Sequence, residues 1–205
     1  VTLNLGFVVV EVVFGFLANS LALLADAGHN FSDVLGLLLA WGASVLVRKQ
    51  PTQRHTYGLR RSSILAAMIN ALILLVAVGG IAWESILRFG QPEAVASGTV
   101  ILVASVGIII NGFTAWLFMS GKDRDLNIRG AYLHMMADAA ISLAVVVAAA
   151  AMSITGWLWL DPLVSLAIGA VIGVGTWGLL RESLNLALDA VPASIQAGEV
   201  EAYLA

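Results

Sequence analysis

Leu23-Leu24-Ala25-Asp26-Ala27-Gly28-His29-Asn30-Phe31-Ser32-Asp33-Val34-Leu35-Gly36-Leu37-Leu38-Leu39-Ala40-Trp41 opens an apolar run that continues to Val47. A helix needs about 20 predominantly apolar residues to cross a bilayer, and this run is longer. It nevertheless carries Asp26, His29 and Asp33, with no Lys or Arg to pair them. An ionised side chain at the membrane centre costs at least about 2.5–3.5 kcal/mol on insertion scales, so such groups persist where they pair, bind an ion or line water. The run therefore predicts both a membrane helix and a functional site on it.

Five further apolar runs flank this one, at residues 2–21, 63–87, 97–119, 128–154 and 162–180. They are long and continuous, whereas barrel strands read as short alternating segments. Of the 205 residues, 60% are hydrophobic and 11% charged, with a mean hydropathy of +0.95. Soluble domains carry about 25% charged residues, so the surface here faces lipid. The expected fold is an all-α membrane protein, a six-transmembrane-helix bundle over residues 1–190. Residues 191–205, past the break at Pro192, read as the start of a truncated C-terminal cytoplasmic domain. With no cysteine, disulfides and thiolate metal sites are excluded. The net charge of -3 and the lack of a basic run argue against nucleic acid.

Basic residues set the orientation. Arg48, Lys49, Arg54, Arg60 and Arg61 lie between the second and third runs, Lys122, Arg124 and Arg129 around the fourth-to-fifth turn, and Arg181 after the sixth. Arg88 alone falls on the other side. Both termini are then cytoplasmic. Asp161-Pro162 reads as an N-cap followed by proline at the first helical position of the sixth helix. Gly169 and Gly173 form a GxxxG pair that admits a close neighbour.

The chemistry lies in an echo. His29 and Asp33 are four residues apart, and so are His134 and Asp138. That spacing stacks both side chains of a pair on one helix face, one turn apart. Two such helices facing each other offer two imidazoles and two carboxylates, a set that suits tetrahedral zinc. The bland alternative is four separate interhelical polar contacts; a haem pocket more often lacks the carboxylate one turn away. Asp26, one turn before His29, is read either as a proton or ion relay or as a hydrated helix-end residue. Glu11, Asn19, Asn70 and Asn111 read as interhelical hydrogen bonders, and Asn30 points away from the His29 face. Glu84 and Arg88 suit an i,i+4 salt bridge. Either Arg60 or Arg61 is placed to pair with Asp189. His55 reads as a solvated loop residue, and Met135-Met136 as packing.

The run Ser20 to His29 followed by Asp33, the stretch His55-Thr56-Tyr57-Gly58 with Arg60 and Arg61, residues 127–138, and the entry at residues 159–162 together resemble the cation diffusion facilitators, in particular the bacterial zinc and cadmium exporter branch. The resemblance covers nearly the whole chain. It implies a homodimer in the bacterial inner membrane, with metal held between the second and fifth helices and exchanged for protons. It implies Zn2+ as transported substrate, with Cd2+ or Co2+ as further cargo, and no organic cofactor. A membrane-embedded zinc-dependent enzyme or a metal sensor is the competing reading. A catalytic zinc keeps a position open for water and needs a general base, and no HExxH is present.

Overall fold

The computed structural model describes residues 2–48, 59, 61–123, 125–191, 195 and 203. Lys49, Arg54, His55, Arg60, Arg124 and Pro192 lie outside them. The described residues form six helices: α1 Thr2–Leu17, α2 Leu21–Val47, α3 Ser62–Gly90, α4 Ser97–Phe118, α5 Leu126–Thr155 and α6 Leu160–Ala187. Five of them are long and apolar enough to cross a membrane, and α1 is shorter at 16 residues.

Two helix boundaries differ from the sequence reading. The first run does not continue to residue 21, because Asn19 adopts a left-handed conformation at φ 53° and turns the chain. Asn tolerates that region through local hydrogen bonding. Ser20 then caps α2, its hydroxyl accepting from the Leu23 N–H at 3.1 Å. Asp161 does not cap α6. That helix already starts at Leu160, and the Asp161 carboxylate turns instead to the N-terminus of α2. Elsewhere local rules hold. Asp125 caps α5 by accepting from the Asn127 and Ile128 N–H groups, and left-handed Gly156 closes it at φ 71°.

α4 packs along α5, and α3 along α6, while α2 touches α1, α3, α5 and α6 and so runs through the middle of the bundle. The interior is built largely from small and β-branched residues, among them Ala22, Val100, Ala104, Val145 and Ala149, together with Leu23. With lipid outside, interhelical affinity comes from close packing more than from apolar burial. Gly169 shows this, since a Cβ there would stand 3.4 Å from Val78 of α3, whereas one on Gly173 would meet nothing within 4 Å. The outer faces carry exposed Trp41, Val76, Ile109, Val147, Val171 and Trp177, an apolar girdle that belongs against acyl chains. Arg61 at the start of α3 reaches both oxygens of Asp189 beyond α6 at 2.7 Å. Both side chains are well exposed, which limits such a pair to about 1 kcal/mol at most.

Gly107 on α4 faces both α1 and α5: a Cβ would stand 3.0 Å from Phe7 Cζ and 3.0 Å from Ser142 Oγ. Gly107→Ala gains about 0.8–1.0 kcal/mol of helix propensity and incurs about 1–3 kcal/mol of overpacking. It should therefore melt earlier in detergent. Gly112→Ala on the same helix, where a Cβ meets nothing within 4 Å, should be neutral or stabilising. Equal upward shifts in both variants would mean that α1, α4 and α5 do not approach this closely.

Candidate metal centre

His29 and Asp33 lie in the first half of α2, and His134 and Asp138 at the matching positions of α5. The i,i+4 spacing aligns each pair, and the packing of α2 on α5 turns the two pairs toward each other. The contacts run crosswise. His29 Nε2 of α2 stands 3.1 Å from Asp138 Oδ1 of α5, and His134 Nε2 of α5 stands 3.3 Å from Asp33 Oδ2 of α2. Asp138 Oδ2 also lies 3.7 Å from His134 Nε2, so one aspartate faces both imidazoles. The two rings meet edge-on with centroids 6.1 Å apart. Donor atoms of His29, Asp33 and Asp138 lie within 4.8 Å of one another.

These separations match a coordination sphere. Ligands about 2.0–2.2 Å from a tetrahedral zinc stand about 3.3–3.6 Å from one another. Three of the six separations, 3.1, 3.3 and 3.7 Å, bracket that range; His29, Asp33 and Asp138 form the tight group, and His134 borders it through Asp33 and Asp138. Exposure is graded: Asp138 2%, His29 19%, Asp33 30% and His134 44%. Exposure thus rises along both helices toward the end of the bundle where α2 finishes and α5 begins. Toward the opposite end the polar residues Asp26, Ser142, Ser20 and Asp161 are all buried.

These residues form two further hydrogen-bonded layers. Asp26, one turn before His29, accepts from Ser142 Oγ at 2.9 Å, and both are fully buried. Ser142 is one turn after Asp138, so this hydrogen bond stitches α2 to α5 directly beyond the four side chains. Beside it, Asn30 Nδ2 donates to Glu11 Oε2 of α1 at 2.9 Å. At the N-terminal end of α2, Asp161 accepts from Ser20 Oγ at 2.6 Å, the Leu21 N–H at 2.7 Å and the Ala22 N–H at 3.3 Å. Arg88 anchors the adjacent turn by donating to the Asn19 carbonyl and side chain, both at 2.8 Å, and also meets Glu84 at 3.3 Å and Glu93 at 3.7 Å. Sequence reasoning did not single out Ser142. Its position four residues after Asp138 was the available signal.

A family model described as the cation efflux transmembrane domain matches residues 1–186. The chain is 40% identical over 197 residues to the zinc transporter ZitB of Escherichia coli strain K12, covering 96% of this chain and 63% of that protein. It is 36% identical over 197 residues to the cadmium, cobalt and zinc/H(+)-K(+) antiporter of Bacillus subtilis strain 168, covering 95% and 63%. Against the cation efflux system protein CzcD of Alcaligenes sp. strain CT14 the identity is 36% over 195 residues, covering 95% and 62%. The chain thus spans a little under two thirds of the length of these relatives.

Proposed function

Because this chain belongs to the cation efflux family, whose transmembrane domain spans residues 1–186, we propose that it exports zinc from the cytoplasm in exchange for protons, with His29, Asp33, His134 and Asp138 as the transport site. It is an integral protein of the bacterial inner membrane. Cadmium and cobalt are further cargo, as in the relatives' names. In this reading residues 1–190 form six spans with both ends cytoplasmic, and the working unit is a homodimer. The observation that carries the site is the crosswise approach of two His/Asp pairs from α2 and α5 at zinc-compatible spacing.

The mechanism follows from charge. Two carboxylates and two neutral imidazoles around a dication sum to zero. Emptied without protons, the site holds unpaired buried charge, which costs several kcal/mol per ion. Protons replacing zinc remove that cost, and histidine is the readiest acceptor near neutral pH. Zinc enters from the more exposed side, next to Asp33 and His134. Release requires the Asp26–Ser142 layer to part, and Asp26 then lies on the route outward for the ion or its counter-proton. The relatives' names speak of transporters and antiporters and not of catalysts.

Proteoliposomes test the reading. Zinc movement should be driven by an imposed pH gradient, and zinc flux that persists unchanged when the gradient is collapsed would reject the coupling. Selectivity tests the ligands. Two imidazoles favour zinc over metals that prefer oxygen, so His29→Asp should raise the cadmium-to-zinc flux ratio several-fold. An unchanged ratio would remove His29 from the coordination sphere.

A further inference from the structure

Beyond the four proposed ligands the bundle holds a second pair of acids for which zinc coordination has no use. Glu11 of α1 and Asp26 of α2 are both fully buried. Each has one oxygen satisfied, by Asn30 and by Ser142 respectively. The other oxygen of each, Glu11 Oε1 and Asp26 Oδ1, is buried without a hydrogen-bond partner. Asn30, the partner of Glu11, lies one turn after Asp26 on α2, so both acids neighbour the same stretch of that helix.

Among the described residues no lysine or arginine answers them, and His29 opposes Asp26 only when it is protonated. α4, packed on α1, contains no titratable side chain. From α2 itself come Asp26 and His29, and from α5 His134 and Asp138. Asp161 of α6 is engaged at the α2 N-terminus, and Arg88 of α3 with Asn19, Glu84 and Glu93. No lysine or arginine among the described residues is ion-paired to either acid. Two neighbouring buried carboxylates, each with an oxygen left without a partner and no lysine or arginine beside it, repel each other and lack the solvation that water supplies. A proton supplies the missing charge and requires no cavity.

We propose that Glu11, reached through Asp26, is a second proton-binding site of the transport cycle, separate from the zinc ligands. It deepens the exporter reading and rests on it. When zinc binds between α2 and α5, the dication's field acts on Asp26 and through it on Glu11. The O–H bond of the Glu11 carboxyl breaks, its proton passes by way of Asp26 to water, and the Asn30 amide holds the carboxylate left behind. When zinc leaves, the proton returns. Asn30 directly follows His29, so a movement of His29 onto the metal is felt at the hydrogen bond to Glu11.

The test counts protons. Calorimetry of zinc binding to the detergent-purified chain, in buffers of different ionisation enthalpy, gives protons released per zinc. Glu11→Gln keeps the size of the side chain and an oxygen to accept from Asn30. It should bind zinc with unchanged stoichiometry but release fewer protons than the parent, the difference approaching a single proton. Infrared difference spectra on zinc addition, with glutamate carboxyls isotopically labelled, should show loss of a protonated glutamate band that the variant lacks. The labelling separates it from the aspartates and keeps the test open if Glu11→Gln fails to fold. Equal proton counts in parent and variant, or no glutamate band in the parent, overturn the proposal. So does zinc binding that depends on sodium or potassium in place of pH. A parent that releases no protons at all sinks the proton-coupled reading itself, which is a different outcome from equal non-zero counts.

Discussion

Asp138→Asn is expected to weaken zinc binding at least about 100-fold, or about 2.7 kcal/mol. Asp138 is the most enclosed of the four side chains and the one that faces both imidazoles, at 3.1 and 3.7 Å. Removing an outer partner that only orients a ligand typically costs 10–100-fold in metal affinity. Removing the charge of a direct ligand should cost more, because the loaded site then carries a net positive charge in a poorly solvated interior. Calorimetry at neutral pH measures it. Zinc needs neutral imidazoles and ionised carboxylates, so protons compete with it. The parent's affinity should therefore rise with pH. Metal-free Asp138→Asn should melt no earlier than the parent, since an amide is easier to bury than a carboxylate. Undiminished zinc affinity in a folded variant would take Asp138 out of the site.

Asp161→Ala should have the largest effect on stability. The first N–H groups of any helix lack intrahelical partners. In α2 two of them, on Leu21 and Ala22, are satisfied by a carboxylate from another helix, and the same group holds the capping hydroxyl of Ser20. The negative charge also complements the positive end of the α2 dipole. Truncation leaves buried donors orphaned at about 1–3 kcal/mol each, or about 3–5 kcal/mol for breaking such a buried charged contact. At about 2–4 °C per kcal/mol, thermal unfolding in detergent should fall by roughly 6–20 °C. Asp161→Asn keeps an acceptor and should lose about half as much. A shift below about 2 °C in Asp161→Ala, under 1 kcal/mol by the same scale, would show that the α2 N-terminus is held by other means.

The helices and the candidate ligands were legible in the chain because both are local properties. Apolar run length marks a lipid-facing helix without reference to any other segment, and i,i+4 spacing sets two side chains on one face whatever that face meets. His29 with Asp33 and His134 with Asp138 could therefore be paired by inspection, and Asp26 placed on the same stripe. What the sequence could not supply is how each helix is rotated about its axis and which neighbour it meets. Asp161 sits beside a proline in the pattern of a local cap, yet its carboxylate serves α2, some 140 positions away. Asn30, which the helical wheel turns off the ligand face, finds Glu11 across the α1–α2 contact. Ser142 matters because α5 presents it to Asp26. The crosswise bonding of each histidine to the aspartate of the other helix, and the graded exposure that opens one side of the site, follow only once α2 and α5 are packed. These contacts are non-local, and side-chain direction across a helix pair is set by packing against every other helix at once.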